Sequence, residues 1–88
     1  MDGITSSGFK YHVEEATFDN MELLDALEEM TDEDSLAISR VVKLVLGEEQ
    51  KKLMYNHLRT ADGRVPIVAV NKELAEIFDA FGTKGKNS

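Results

Sequence analysis

The residues from Ser35 to Gly47 form the densest apolar run in the chain, and they limit the folds that are open to it. Their apolar side chains recur three and four residues apart and cover more than half of a helix circumference. The polar exceptions fall on one narrow side: Ser39, Arg40 and Lys43. A buried strand is the alternative, since Val and Ile favour strands. The run is too long for a typical strand, however, and Gly47 follows it as glycine follows a helix C-terminus. We therefore expect a central helix surrounded by others.

Three further segments also have helical spacing of their apolar residues. The first begins at Asp19, which stands three residues before Glu22 in the arrangement of a capping box. The second covers residues 48–59. The third begins near Pro66, which suits a first helical position, and Gly82 is expected to end it. We therefore predict an all-α fold, a compact bundle of about four helices.

The N-terminal part of the chain carries a weak strand signal. Phe9 to Val13 alternates apolar and polar residues, as a half-buried strand does. A strand needs a partner, which residues 3–6 or another copy of the chain could supply. The prediction therefore includes a short N-terminal β-strand or hairpin as an option. Residues 1–88 form a single domain, and residues 1–8 and 83–88 are expected to be flexible because they are small and polar.

Charge and composition narrow the classes of function. The net charge is −7, and residues 1–34 hold eleven acidic residues and one basic residue. Such a surface repels nucleic acid and attracts basic partners, although a solvated helix face has the same composition. No cysteine is present, so disulfides and thiolate metal sites are excluded. No apolar stretch reaches the length of a membrane span and the start does not resemble a signal peptide, so a cytoplasmic protein is expected.

The sequence offers no constellation of residues for catalysis. His12 and His57 lack a second ligand at metal-binding spacing. A calcium loop counted from Asp32 fails, because its sixth residue is not glycine and its twelfth is not glutamate. The glycines are scattered, without a strand–loop–helix unit for phosphate. We therefore predict no catalytic residue, no metal site and no cofactor, and a protein that is not an enzyme.

A small acidic adaptor or regulatory module is the alternative function, with DNA binding through a helix-turn-helix as one form of it. Residues 41–59 can be interpreted as helix, glycine turn and helix. The second helix would start with Glu48 and Glu49, where a recognition helix approaches phosphates. An acidic chain also lacks the expected basic footprint, so binding of nucleic acid is not expected.

Residues 20–88 resemble a known family. The resemblance rests on MELLDALEEM, on the core helix followed by LGEEQKKLMYNHL, on the turn DGRVP, on the helix ELAEIFDAF and on the ending Lys86-Asn87-Ser88. These stretches are similar to tail assembly chaperones of long-tailed bacteriophages, of the type found in phages and prophages of Gram-positive bacteria. Proteins of this kind have no catalytic signature.

The resemblance implies a binding protein for viral morphogenesis. Its expected partners are the tape-measure protein, which it would coat during tail assembly, and the tail-tube protein, whose subunits it would help to recruit. It would act in the bacterial host cytoplasm and leave before the virion is finished. In this family a ribosomal frameshift often makes a longer second product. Self-association is also open, because a chain of this size buries a limited core.

A tape-measure protein is a long helical rod, so binding it requires an apolar surface that accepts an amphipathic helix. Four residues of the segment 48–59 are our candidates for that surface: Leu53, Met54, Tyr55 and Leu58. Methionine suits such a surface because it adapts to varied partners. The alternative is that these side chains pack against the central helix, as helical stripes usually do.

Overall fold

The computed structural model describes residues 1–31 and 36–86. Its elements in chain order are β1 (Asp2–Ile4), β2 (Lys10–His12), a 3-10 turn (Glu15–Phe18), α1 (Met21–Thr31), α2 (Ala37–Leu58) and α3 (Ile67–Lys86). The described chain is therefore mostly helical, with three α-helices and a two-stranded antiparallel hairpin at its N-terminus.

The described residues form three α-helices, and our prediction of about four is wrong. The expected helices over residues 35–46 and 48–59 are continuous in α2, which bends at Gly47. That residue has φ 79° and ψ 169°, a backbone conformation that essentially only glycine adopts. The helix resumes immediately after it, so Gly47 bends one element where we expected it to separate two.

The predicted N-terminal strand pairs with another segment of the same chain. β1 and β2 pair with Gly3 opposite Tyr11. β1 therefore lies within the terminus that we expected to be flexible. The hydrogen-bonded ladder extends beyond both strands, because Val13 N–H donates to the Met1 carbonyl and Thr5 N–H donates to the Phe9 carbonyl.

The start of α1 and the end of α3 lie at other residues than the sequence predicts. Asn20 caps α1, since its side-chain oxygen accepts a hydrogen bond of 3.0 Å from the Glu22 N–H, and Asp19 does not serve as the cap. α3 continues through Gly82 to Lys86. Glycine weakens a helix by about 1 kcal/mol without necessarily ending it. Residues 87 and 88 of the predicted flexible tail lie outside the described residues, as do residues 32–35.

The core is built around the first half of α2, which confirms the expected central helix over residues 37–46. Val41 and Val42 are completely buried. They belong to one cluster that draws on the hairpin and all three helices: Phe9, Tyr11, Val13, Leu23, Ala26, Ile38, Val41, Val42, Val45, Leu46, Met54, Val70, Leu74 and Ile77. The hairpin is therefore part of the core, and both halves of α2 have their inner faces covered.

Candidate functional site

An apolar groove lies where the two ends of α2 meet the start of α3. It has a volume of about 160 Å³, and we call it the α2–α3 groove. Its lining residues come from three places in the chain: Ile38, Ser39, Tyr55, Val65, Ile67 and Val70. Four of these six side chains are aliphatic and none is charged, so the groove is suited to apolar groups.

The bend in α2 and the loop before α3 bring these residues together. Gly47 separates Ile38 and Tyr55 into two helical segments that both reach the groove. The loop is closed by a hydrogen bond of 2.8 Å from the Thr60 N–H to the Arg64 carbonyl. Pro66 accepts a hydrogen bond from the Val70 N–H and so begins α3. Ile67, at the first position of α3, remains 59% exposed.

The structure separates the four residues that the sequence analysis put forward for partner binding. Tyr55 is half-buried and lines the groove. Leu53 is 60% exposed but lies outside it. Met54 is completely buried in the core, and Leu58 is half-buried against the same core. Only Tyr55 therefore combines a place in the groove with access to solvent.

The groove also contains residues that the sequence analysis did not connect with partner binding. Val65 stands in a turn, where periodicity gives no signal. Ile38 and Val70 belong to apolar helical stripes, which usually pack in a core, and both are at least 90% buried. A positive charge lies beside the groove, because Lys51 Nζ is 5.7 Å from the centroid of the Tyr55 ring.

A second cluster of polar residues fastens the hairpin loop to α3. The carboxylate oxygen Oε1 of Glu73 accepts hydrogen bonds of 2.8 Å from Thr5 Oγ1 and from Ser7 Oγ. Glu73 is 1% exposed, although glutamate is rarely found fully buried in proteins. A signal for this burial exists in the sequence, since position 73 falls three residues after Val70 and four before Ile77 on the apolar stripe of α3.

One turn further along α3, Glu76 binds the same loop. Its two carboxylate oxygens accept 2.8 Å hydrogen bonds from the Ser6 N–H and from Ser6 Oγ. Both bonds lower the pKa of Glu76 below its ordinary value of 4.5, and the bond from the backbone N–H has the larger effect. Glu73 and Glu76 together hold the loop in place.

Ser7, His57 and Glu73 lie close together, but their arrangement does not activate the serine. His57 Nε2 is 3.2 Å from Ser7 Oγ and 3.0 Å from the Ser7 carbonyl oxygen. A carbonyl oxygen only accepts hydrogen bonds, so the Nε2 that contacts it carries the hydrogen and cannot take the serine proton. In a catalytic triad the acid orients the histidine, whereas here Glu73 binds the hydroxyl directly. The cluster is therefore a structural contact between the hairpin, α2 and α3.

The local geometry gives the helix-turn-helix interpretation no support. DNA-binding motifs of that kind join their helices through a turn of about three or four residues. In this chain Gly47 is the one non-helical residue between the two segments of α2. The first turn after it contains Glu48, which pairs with Lys43 at 3.6 Å.

Within residues 1–31 and 36–86, no group of three or more His, Asp or Glu side chains is placed to hold a metal ion. None of the helices in this part of the chain has the length and apolar character that crossing a bilayer requires. Comparisons with models of protein families, with curated proteins and with solved structures find no match to this chain.

Proposed function

We propose that this protein is a tail assembly chaperone of a long-tailed bacteriophage, which binds the tape-measure protein and helps to recruit tail-tube subunits in the host cytoplasm. In this proposal it performs no chemistry and leaves before the virion is complete. The observation that carries the proposal is the α2–α3 groove, an apolar surface with an exposed edge. The family resemblance of residues 20–88 adds the identity of the partner.

The size of the groove favours a protein partner. Pockets for small molecules typically enclose about 300–1,000 Å³, whereas this groove encloses about 160 Å³. Such a space suits one or two apolar side chains projecting from a helix, which is how grooves recognise amphipathic helices. A tape-measure protein supplies helices of this kind repeatedly along its length.

The edge of the groove provides further contact area. Ile67 and Val68, the first two residues of α3, are 59% and 80% exposed. Tyr55 presents a ring with a polar hydroxyl, the side-chain type that dominates binding energy at many interfaces. In our proposal Tyr55 and Ile67 contact the bound helix, while Met54 supports Tyr55 from the core. Leu53 and Leu58 remain candidates for the outer part of the same interface.

Co-expression with a fragment of the tape-measure protein encoded beside it tests the proposal. The expected result is a complex that survives size-exclusion chromatography. Ile67→Lys places a charge in the groove and should weaken binding at least about tenfold, the effect of losing roughly 1.4 kcal/mol. Leu53→Lys places the same charge outside the groove, on a residue whose exposure of 60% matches the 59% of Ile67. Met21→Lys is the control, because Met21 is 67% exposed and lies on α1.

The possible results distinguish an error in the proposed interface from an error in the proposed function. Loss of binding in Leu53→Lys but not in Ile67→Lys would keep the function and move the interface to the outer face of α2. No complex with the cognate fragment would overturn the function. Gene order gives an independent check, because a tape-measure gene should follow directly, with a frameshift sequence near the stop codon.

A further inference from the structure

The outer edge of β1 has no hydrogen-bond partner among the described residues. In an antiparallel pair, residues alternate between those that bond to the partner strand and those that direct their N–H and C=O groups away from it. Met1 pairs with Val13 and Thr5 with Phe9, as their backbone hydrogen bonds show. Asp2 and Ile4 stand between these bonded positions, so their backbone groups point away from β2.

Among the described residues, the outer edge of β2 is covered at His12 but not at Lys10, and the outer edge of β1 is not covered at all. On β2, the side-chain amide of Gln50 bonds both backbone groups of His12 at 2.7 Å. On β1, no residue of the described chain bonds the backbone N–H or C=O of Asp2 or Ile4, and β2 is the one strand that β1 pairs with. An uncovered edge of this kind is a template for another strand.

We propose that the open edge of β1 pairs with β1 of a second copy of this chain, which joins the two hairpins into one four-stranded antiparallel sheet. The two strands lie antiparallel with Gly3 opposite Gly3 on the two-fold axis. In this register Asp2 of each copy bonds Ile4 of the other, and all the outward backbone groups of both residues are satisfied. The symmetry makes the interface self-complementary, as a two-fold contact requires.

Gly3 stands on the two-fold axis of this register. The central pair is a non-hydrogen-bonded one, whose Cα atoms come within about 4.5 Å. Gly3 adds no side chain to that pair. The space beside its Cα is already filled by the ring of Tyr11 from β2.

The charges on the outer face of the hairpin also match across the axis. Ile4 lies opposite Lys10 within one hairpin and would lie opposite Asp2 of the second copy. Lys10 forms no ion pair with another described residue. Its ammonium would have to span two strand spacings of about 4.8 Å each to reach that aspartate, and its aliphatic stem would cover Ile4 on the way. Ile4, now 62% exposed, would thereby be protected from water.

The expected association is weak. Three residues from each copy form a much smaller contact than a standard interface, so we expect a dissociation constant on the order of 100 µM. The net charge of −7 opposes association of like copies. At physiological salt, however, charges more than about 8 Å apart are largely screened, and the hairpin contact is local.

Sedimentation equilibrium of the full chain, from micromolar to millimolar concentration at physiological salt, tests the proposal. The mean mass should rise from one chain toward two. Ile4→Pro removes the outward N–H without removing a bond inside the hairpin, and it should weaken association at least about tenfold. Ile4→Val keeps that N–H and should associate like the unchanged chain. Circular dichroism checks that each variant is folded.

Two substitutions of Lys10 keep the test decisive if Ile4→Pro does not fold. Lys10→Asp should weaken association, whereas Lys10→Arg, which keeps the positive charge and leaves the Asp2–His12 ion pair unchanged, should not. A monomer at every concentration would overturn the proposal and leave the edge to an extended segment of another protein. Association that neither Ile4→Pro nor Lys10→Asp changes would also overturn it, because the copies would then meet elsewhere.

Discussion

The side-chain amide of Gln50 binds the backbone of His12 as a neighbouring strand would. Gln50 Oε1 accepts a 2.7 Å hydrogen bond from the His12 N–H, and Gln50 Nε2 donates a 2.7 Å bond to the His12 carbonyl. Gln50 Nε2 also donates a 2.9 Å hydrogen bond to the Leu46 carbonyl, next to the bend at Gly47. One side chain thus links His12 of β2 to the backbone of α2 at its bend.

Replacing Gln50 with alanine should lower the free energy of unfolding by about 1–2 kcal/mol, because it removes two exposed hydrogen bonds to the His12 backbone and one partly buried bond to the Leu46 carbonyl. Urea denaturation at neutral pH measures the loss. Lys52→Ala is the control, since it changes an exposed residue on the same helical segment. Equal losses in the two variants would show that the amide contacts contribute nothing beyond helix propensity.

The parts of the fold that follow from periodicity could be predicted from the sequence, and those that depend on single contacts could not. Val41 and Val42 stand in a long apolar stripe, and both are buried as that stripe predicts. The sequence predicts a break at Gly47, but its φ and ψ values decide between a bend and a turn, and residue spacing does not determine them. The contact between Gln50 and His12 joins residues 38 positions apart, so no local pattern announces it.

The candidate site was predictable to a similar degree. The helical stripe predicts Tyr55 as a partner-binding residue, and Tyr55 lines the α2–α3 groove. The same stripe predicts Met54, which is completely buried in the core. A helical stripe identifies an apolar face without saying which of its residues a neighbouring helix covers. That information lies in the packing of α3, and the turn residue Val65 completes the groove without any periodic signal.

The buried contact of Glu73 should respond differently to two substitutions. Glu73→Gln retains an acceptor oxygen for Thr5 and Ser7, so we expect a loss of about 1 kcal/mol or less in the free energy of unfolding. Glu73→Leu keeps the side-chain volume but leaves both hydroxyls without their acceptor, and about 2–3 kcal/mol should be lost. Thermal and urea unfolding measure both values. Similar losses for the two variants would show that the hydroxyls find other partners.

The stability of the hairpin should depend on pH through His12. Hydrogen bonds to Glu14 and then to Asp2 raise the pKa of His12 above its ordinary value of 6.5. A raised histidine pKa stabilises the fold below pH 6.5, and this contribution is lost as the pH rises through the folded-state pKa. His12 in turn lowers the pKa values of Asp2 and Glu14 from 3.8 and 4.5, so their contribution is lost as the pH falls through the lowered values.

The difference in urea midpoint between the unchanged chain and His12→Asn should therefore be largest between about pH 4.5 and 6.5 and should shrink on both sides. All three groups are exposed to solvent, so added salt should reduce the difference as well. The double variant Asp2→Asn with Glu14→Gln is the control, and His12→Asn in that background should have a small effect at every pH. A difference that persists unchanged into alkaline solution would contradict the assignment to these ion pairs.

The bend at Gly47 should be maintained by backbone conformation alone. Apart from its chain neighbours and the adjoining helix backbone, no atom lies within 4 Å of a Cβ built at this position, so Gly47→Ala creates no clash with the rest of the protein. The positive φ of 79° is nevertheless strained for an L-residue, and we expect a loss of about 1–3 kcal/mol in the free energy of unfolding. D-alanine adopts positive φ without that strain, so a synthetic chain with D-alanine at position 47 should be as stable as the glycine protein or more stable. Urea denaturation of the three chains measures the effect, and a loss of stability in the D-alanine chain as well would contradict the assignment of the cost to the positive φ.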